Sequence, residues 1–150
     1  MDPGATYFFD RKTKEITFLY RPRPELPTEH LCNMTPVNYK SVDDLTIHGY
    51  LTLPRQAEAG PVPGIIMPHG GPWVRDNWGY QSYTQFLANL GYAVLQVNYR
   101  GSTGYGKSFL NAGDGQWGRK MQDDLSNGVK YLIDNNICGS DKRCKRVELA

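Results

Sequence analysis

Residues Gly64-Ile65-Ile66-Met67-Pro68-His69-Gly70-Gly71-Pro72 join a short apolar run to a double glycine. The apolar part suits a buried strand, and the glycines suit a sharp turn at its end. Acyl transfer builds negative charge on a carbonyl oxygen. Backbone N–H groups aimed at that oxygen stabilise it, each typically by about 3 kcal/mol in rate. His69, Gly70 and Gly71 are therefore the candidate residues of an oxyanion-binding turn. A plain strand-to-helix turn, needing glycine only for steric reasons, accounts for them equally well. A turn of the first kind serves a serine in a later G-x-S-x-G elbow. The 150 residues contain no such pentapeptide. They end at Lys145-Arg146-Val147-Glu148-Leu149-Ala150, which reads as the strand leading into one, although Glu148 is unusual in a central strand. The expectation is the front part of an acyl-transfer enzyme, cut just before its nucleophile.

Other motifs carry less. Gly101-Ser102-Thr103-Gly104-Tyr105-Gly106-Lys107-Ser108 fits the phosphate-binding pattern G-x-x-x-x-G-K-S. Asn98-Tyr99-Arg100 separates it from the preceding apolar strand. Phe109 to Gly113 leaves room for about one helical turn, too little to hold a phosphate at its N-terminus. No later apolar strand ends in an aspartate for magnesium, since Asp134 closes a helical pattern. A glycine-rich loop folded over a sheet is the expected reading, with no nucleotide. Lys142 to Arg146 is a basic run that suits a solvated approach to a strand. Cys32, Cys138 and Cys144 form neither a disulfide pattern nor, with His30, a metal-ligand spacing. No cofactor and no metal are expected. His30, His48 and His69 all precede any nucleophile, whereas a Ser-acid-His hydrolase places its histidine last. His30 falls in a linker. His48 falls on the polar face of a strand, where solvent is expected.

The elements that must position these residues follow from periodicity. Tyr7-Phe8-Phe9 and Ile16 to Tyr20 are β-rich runs around a polar turn. Arg21 to Pro27 is a proline-bearing linker. From Val37 to Leu53 the pattern alternates, with Leu45, Ile47, Leu51 and Leu53 on one face. That predicts an antiparallel hairpin with a turn at Asp43-Asp44 and one wet face. Tyr83, Phe86, Leu87 and Leu90 fall at i, i+3, i+4 and i+7 before Gly91, which predicts a helix buried on that face. Tyr92 to Val97 is the next strand, parallel to the one at 64–67. Met121, Leu125, Val129 and Leu132 mark a second helix. Arg146 to Ala150 begins a third parallel strand. The whole is α/β.

Composition sets outer limits. The chain is 39% hydrophobic and 21% charged, enough for a packed core and against wholesale disorder. A net charge of +2 is too small to point to nucleic acid. No apolar stretch is long enough to span a membrane, and no signal peptide is expected. With free thiols expected, the cytoplasm is the expected compartment. Asn33-Met34-Thr35 fits the glycosylation pattern, which matters only in a secreted protein.

Six blocks then stand in order: Pro36-Val37-Asn38-Tyr39, Leu45 to Pro54, Met67 to Pro72, Asn98 to Gly106, Gly115-Gln116-Trp117-Gly118 and Asp123-Asp124. This series resembles the prolyl oligopeptidase family of serine peptidases, in its acylaminoacyl-peptidase and dipeptidyl-peptidase-like branch. The resemblance covers residues 36 to 150. It implies a truncated α/β-hydrolase sheet at 37–150: an antiparallel hairpin, then three parallel strands with flanking helices. It implies that residues 1–36 are a propeller remnant and linker. It further implies peptide substrates cleaved through an acyl-enzyme, with the Gly71 N–H as oxyanion donor. Some branches carry a tyrosine where this chain has His69, and histidine there points to the backbone donor. An esterase of the same fold and a non-catalytic binding fragment are the rival readings. Self-association through an exposed sheet edge is expected of the isolated chain.

Overall fold

A computed structural model describes residues 1–139 and the backbone of a short strand at 145–146. The expected strand residues 147–150, Cys144 and most of the basic run lie outside the described residues. The first two strands, β1 (Thr6–Phe9) and β2 (Ile16–Tyr20), pair antiparallel. Asp10 closes their turn. Its carbonyl accepts the Lys14 N–H at 2.8 Å, and its carboxylate accepts the Lys12 N–H at 2.7 Å. The ribbon makes no ladder bond to the main sheet, and nearly all its side chains are exposed.

The main sheet contains β3 (Met34–Lys40), β4 (Thr46–Thr52), β5 (Gly64–Pro68), β6 (Ala93–Asn98) and β7 (Lys145–Arg146), in the order β3-β4-β6-β5-β7. β3 and β4 form the expected hairpin, with Asp44 in the left-handed region at φ +59°. β5 and β6 run parallel, Gly64 opposite Ala93 and Pro68 opposite Val97. β7 runs parallel to β5 on its other side. This is the hairpin and three parallel strands of an α/β-hydrolase sheet.

The hairpin is less wet than its alternation suggests. β4 is not an edge but pairs antiparallel with β6. Thr52 and Ile47, on opposite faces, are both fully buried. Gly49 makes the close pairing feasible, since a Cβ there would lie 2.6 Å from the Gln96 carbonyl oxygen. Only β3 keeps an exposed face, at Pro36, Asn38 and Lys40.

Two helices cover the sheet from opposite sides. α1 (Ser82–Asn89) links β5 to β6 and packs Leu87 on Ile65, Met67 and Val94. After α2 (Lys107–Asn111), α3 (Lys120–Asp134) packs Met121, Leu125 and Leu132 on the face of Ile66, Leu95 and Val97. Gly128 lets α3 approach, for a Cβ there would sit 2.8 Å from the Tyr39 hydroxyl.

α1 ends as expected, with Gly91 at φ +94° and the Tyr92 N–H donating to the Leu87 carbonyl at 3.2 Å. Its buried face is not the expected one. Tyr83, Phe86 and Leu90 are exposed, the last two at 59%, while Thr84, Gln85, Leu87 and Ala88 are buried. The polar residues have specific partners. Thr84 Oγ1 bonds Gln96 Oε1 at 3.3 Å in the central strand. Gln85 accepts the Cys32 N–H at 2.8 Å and donates to the Cys32 carbonyl at 2.9 Å. A buried polar strand residue and an unpaired stretch of backbone thus set the roll of the helix. Leaving such groups unbonded costs more than exposing two apolar side chains.

Candidate active site

The turn at His69-Gly70-Gly71 follows directly on β5 and lies at the carboxyl ends of the parallel strands, where open α/β sheets bind ligands. Gly71 has φ +125°, and a Cβ on it would sit 3.0 Å from the Trp73 backbone nitrogen and 3.1 Å from Val74 Cγ2. Only glycine fits. Among the described residues, neither the Gly70 nor the Gly71 N–H has a hydrogen-bond acceptor.

His69 is held on three sides. Its ring stacks on Tyr99 with centroids 4.6 Å apart and planes 19° from parallel. The Tyr99 hydroxyl donates to the His69 carbonyl at 2.9 Å. Nε2 lies 2.8 Å from Ser102 Oγ, and Nδ1 lies 2.8 Å from the Gly70 carbonyl oxygen. Ser102 is fully buried, and its Oγ also reaches the Tyr99 carbonyl at 2.6 Å.

The loop after the turn is clamped by the glycine-rich segment. Asn98 accepts the Asp76 N–H at 2.8 Å and donates to the Asp76 carbonyl at 3.1 Å. The Arg75 guanidinium donates to the hydroxyls of Tyr50 and Tyr105 at 3.1 Å and lies over the Tyr105 ring. The Thr103 N–H donates to the Val74 carbonyl at 3.1 Å. The first residues of the phosphate-like motif are spent inside the fold. The Gly101 and Ser102 N–H groups bond the carbonyls of Phe109 and Tyr99, each at 3.0 Å. α2, which follows the motif, has only 5 residues.

Beneath the clamp lies a buried charge cluster. Arg100, 3% exposed, grips the fully buried Asp124 of α3 through Nε at 2.9 Å and a terminal nitrogen at 2.8 Å. Its far side grips Asp43 in the β3–β4 turn, both bonds 2.9 Å. Lys120 adds a third tie to Asp43. Paired to two cations, Asp43 titrates well below the usual carboxylate range. The cluster pins the start of the glycine-rich loop to the hairpin and to α3.

Periodicity overlooked these partners. Asp124 lies on the apolar stripe of α3, one residue before Leu125, and a charge on such a stripe signals a buried ion pair. Asp76 gave no sequence signal. Its Oδ2 is buried without a hydrogen-bond partner among the described residues, and burial pushes its pKa up, against smaller opposing effects from His69, Gln96 and Gln81. His48 corrects an expectation. It is half-buried rather than solvated, and stacks on Tyr105 at 4.5 Å with planes 5° apart. Burial first, and the Arg75 cation second, push its pKa down. His30 is exposed in a short 3-10 turn.

Comparison with known proteins places this architecture. Residues 78–145 match the sequence profile of the Prolyl oligopeptidase family. Dipeptidyl aminopeptidase BIII of Pseudoxanthomonas mexicana is 46% identical over 147 residues, 93% of this chain. Over these residues the chain is similar to the prolyl oligopeptidase family. Dipeptidyl peptidase family member 6 of Caenorhabditis elegans is 36% identical over 91% of this chain. The structure of a Mycobacterium tuberculosis puromycin-hydrolyzing peptidase superposes on 91% of it with a TM-score of 0.78 and 27% identity, and 22% of that chain is covered. The chain spans about a fifth of the length of the two curated relatives, 21% in each case. No helix among the described residues is long and apolar enough to cross a membrane.

Proposed function

We propose that this chain forms one side of the oxyanion hole of a serine peptidase that cleaves short peptides through an acyl-enzyme. The observation that carries the reading is the glycine turn at the end of β5. Among the described residues its Gly70 and Gly71 N–H groups have no acceptor, and Gly71 sits in a conformation that only glycine holds readily. Two such N–H groups offer what a developing oxyanion needs. The Gly71 N–H is the principal donor. The nucleophile, the acid and the base are not in this sequence. Residues 37–150 belong to the hydrolase domain in this reading, and the exposed β1–β2 ribbon belongs to a propeller that precedes it. The free thiol of Cys32 supports a reducing, cytoplasmic setting. The outer edge of β7 is where isolated chains would associate.

The 150 residues alone are expected to show no turnover. Of Ser41, Ser82, Ser102, Ser108, Ser126 and Ser140, only Ser41 precedes a histidine in the sequence and only Ser102 meets one in the fold, and both are buried, Ser41 Oγ against Asp124 and Ser102 Oγ against the Tyr99 carbonyl, away from substrate. The purified chain is incubated with a fluorophosphonate probe and with aminoacyl-nitroanilides. Stoichiometric labelling of any of these serines would refute the assignment. In the full-length protein, hydrolysis of dipeptidyl-nitroanilides against simple nitrophenyl esters separates a peptidase from an esterase.

A further inference from the structure

Arg75 is a half-buried cation with no counter-ion among the described residues. It stands four residues after Gly71, in the loop that leaves the glycine turn. The adjacent Asp76 carboxyl does not serve it, for that group lies with Gln96, Gln81 and His69. A guanidinium carries five N–H donors. Nε donates to the Asp76 carbonyl at 3.2 Å, and Nη2 donates to the hydroxyls of Tyr50 and Tyr105, each at 3.1 Å. The two N–H groups of Nη1 have no acceptor among the described residues. Nη1 lies against exposed Gly104, where a Cβ would come within 2.5 Å of it. Glycine at this position, with φ +85°, keeps that edge of the guanidinium open.

The groups around the guanidinium add donors rather than acceptors. The Tyr105 hydroxyl oxygen accepts from Arg75 and, at 2.8 Å, from Asn98 Nδ2. Burial pushes the Tyr105 pKa up, so its proton stays on the oxygen. The hydroxyls of Tyr105 and Tyr50 meet, and they satisfy one O–H between them while the other is left over. His48, stacked on Tyr105, is held toward its neutral form by burial and by the Arg75 cation. The cluster therefore holds a positive charge, the Nη1 donors and a hydroxyl proton, with no acceptor for them among the described residues. Stacking over the Tyr105 ring, 4.5 Å away, offsets only part of the cost of an unpaired, half-buried cation. Such a donor set fits a planar anion with two oxygens. Every short peptide with a free end carries one, its C-terminal carboxylate. Four residues of extended chain reach at most about 14 Å, so a leaving group of up to about four residues can carry its carboxylate from the Gly71 turn to Arg75. We propose that Arg75, with Tyr50 and Tyr105, forms the subsite that receives the C-terminal carboxylate of a short peptide substrate, on the leaving-group side of the scissile bond. This inference rests on the peptidase reading of the glycine turn.

The test uses the full-length protein and pairs of peptides of one sequence, ending in a free acid or in an amide. Each pair gives a ratio of kcat/KM, so a variant of lowered activity still reports. The unmodified protein should favour the acid by roughly tenfold or more, chiefly through KM, for leaving groups of about two to four residues. The preference should fade for leaving groups of about eight residues, whose carboxylate lies beyond reach. Arg75→Met, which keeps the stem without the charge, should bring the ratio close to one, and Tyr105→Phe should lower it part of the way. Equal cleavage of acid and amide by the unmodified protein would overturn the proposal. That result is also the one expected if a carboxylate from elsewhere in the full-length protein occupies Arg75. A preference that survives Arg75→Met would overturn it as well, because the carboxylate would then be held by another group. Should Arg75→Met fail to fold, the dependence of the unmodified protein on leaving-group length decides, and a preference independent of length sinks the subsite. The two layers separate cleanly. Cleavage of both peptides without preference removes only the subsite. Cleavage of nitrophenyl esters and of no peptide removes the peptidase reading and takes the subsite with it.

Discussion

At the scale of single residues, position in the fold outweighs residue type. His48 lies within β4 and His69 directly after β5, yet one stacks in a half-buried aromatic cluster and the other stacks on Tyr99 at the glycine turn. The cluster around His48 includes Tyr105 at 4.5 Å and Phe109 at 6.1 Å, with the Arg75 cation nearby. Burial and that cation both oppose charging the ring, so its folded-state pKa lies below the ordinary histidine value of 6.5. The folded state then binds the proton less readily than the unfolded state. Stability associated with His48 is fully present above pH 6.5 and is lost as pH falls from there through the lowered pKa. Urea midpoints measured from about pH 7.5 down to about pH 5 should decline, and His48→Phe, which keeps the stack and does not titrate, should flatten the decline. An unchanged slope in that variant would remove His48 as the source.

At the scale of elements, α1 departs furthest from its own periodicity. Its apolar residues at i, i+3, i+4 and i+7 predict one buried face, and the molecule buries a different one built on Thr84, Gln85 and Ala88. The consequence inverts an ordinary mutational rule. Gln85→Leu should destabilise by about 2–3 kcal/mol despite its greater hydrophobicity, because the buried Cys32 N–H and carbonyl lose both partners. Phe86→Ser should cost less than about 0.5 kcal/mol, since the ring is 59% exposed. Chemical denaturation of both variants decides the matter, and a larger loss at Phe86 would mean that α1 is rolled as its periodicity suggests. By contrast α3 behaves as read. Met121, Leu125 and Leu132 are buried together, and the one discordant member of the stripe, Asp124, is the ligand of Arg100. Truncating either partner would leave the other as an uncompensated buried charge.

At the scale of the whole molecule, the two edges of the main sheet differ. β3 closes one side and carries Pro36, whose missing N–H makes it a poor template for a further strand. β7 closes the other side and pairs only with β5 among the described strands. The separate ribbon adds exposed Tyr7, Phe8, Phe9, Ile16, Phe18, Leu19 and Tyr20, each more than half accessible. Unpaired edges and apolar surface of this kind promote association. Sedimentation velocity across a concentration series should show the isolated chain's average mass rising with concentration. A clean monomer throughout would contradict this.

The sequence by itself determined the elements and their order. Alternation and helical spacing mark β3 to β6, α1 and α3, because backbone periodicity is written into local side-chain order. It also placed the double glycine at the end of a parallel strand, since the strand-helix-strand pattern allows that arrangement almost alone. Tertiary structure decided what each element touches. The insertion of β4 beside β6, the roll of α1 toward Gln96 and Cys32, and the pairing of Arg100 with Asp124 and Asp43 join residues up to 57 positions apart. Such contacts leave no periodic trace in the chain. They arise because buried polar groups must find partners wherever the fold brings them, and that requirement sets His69 against Ser102.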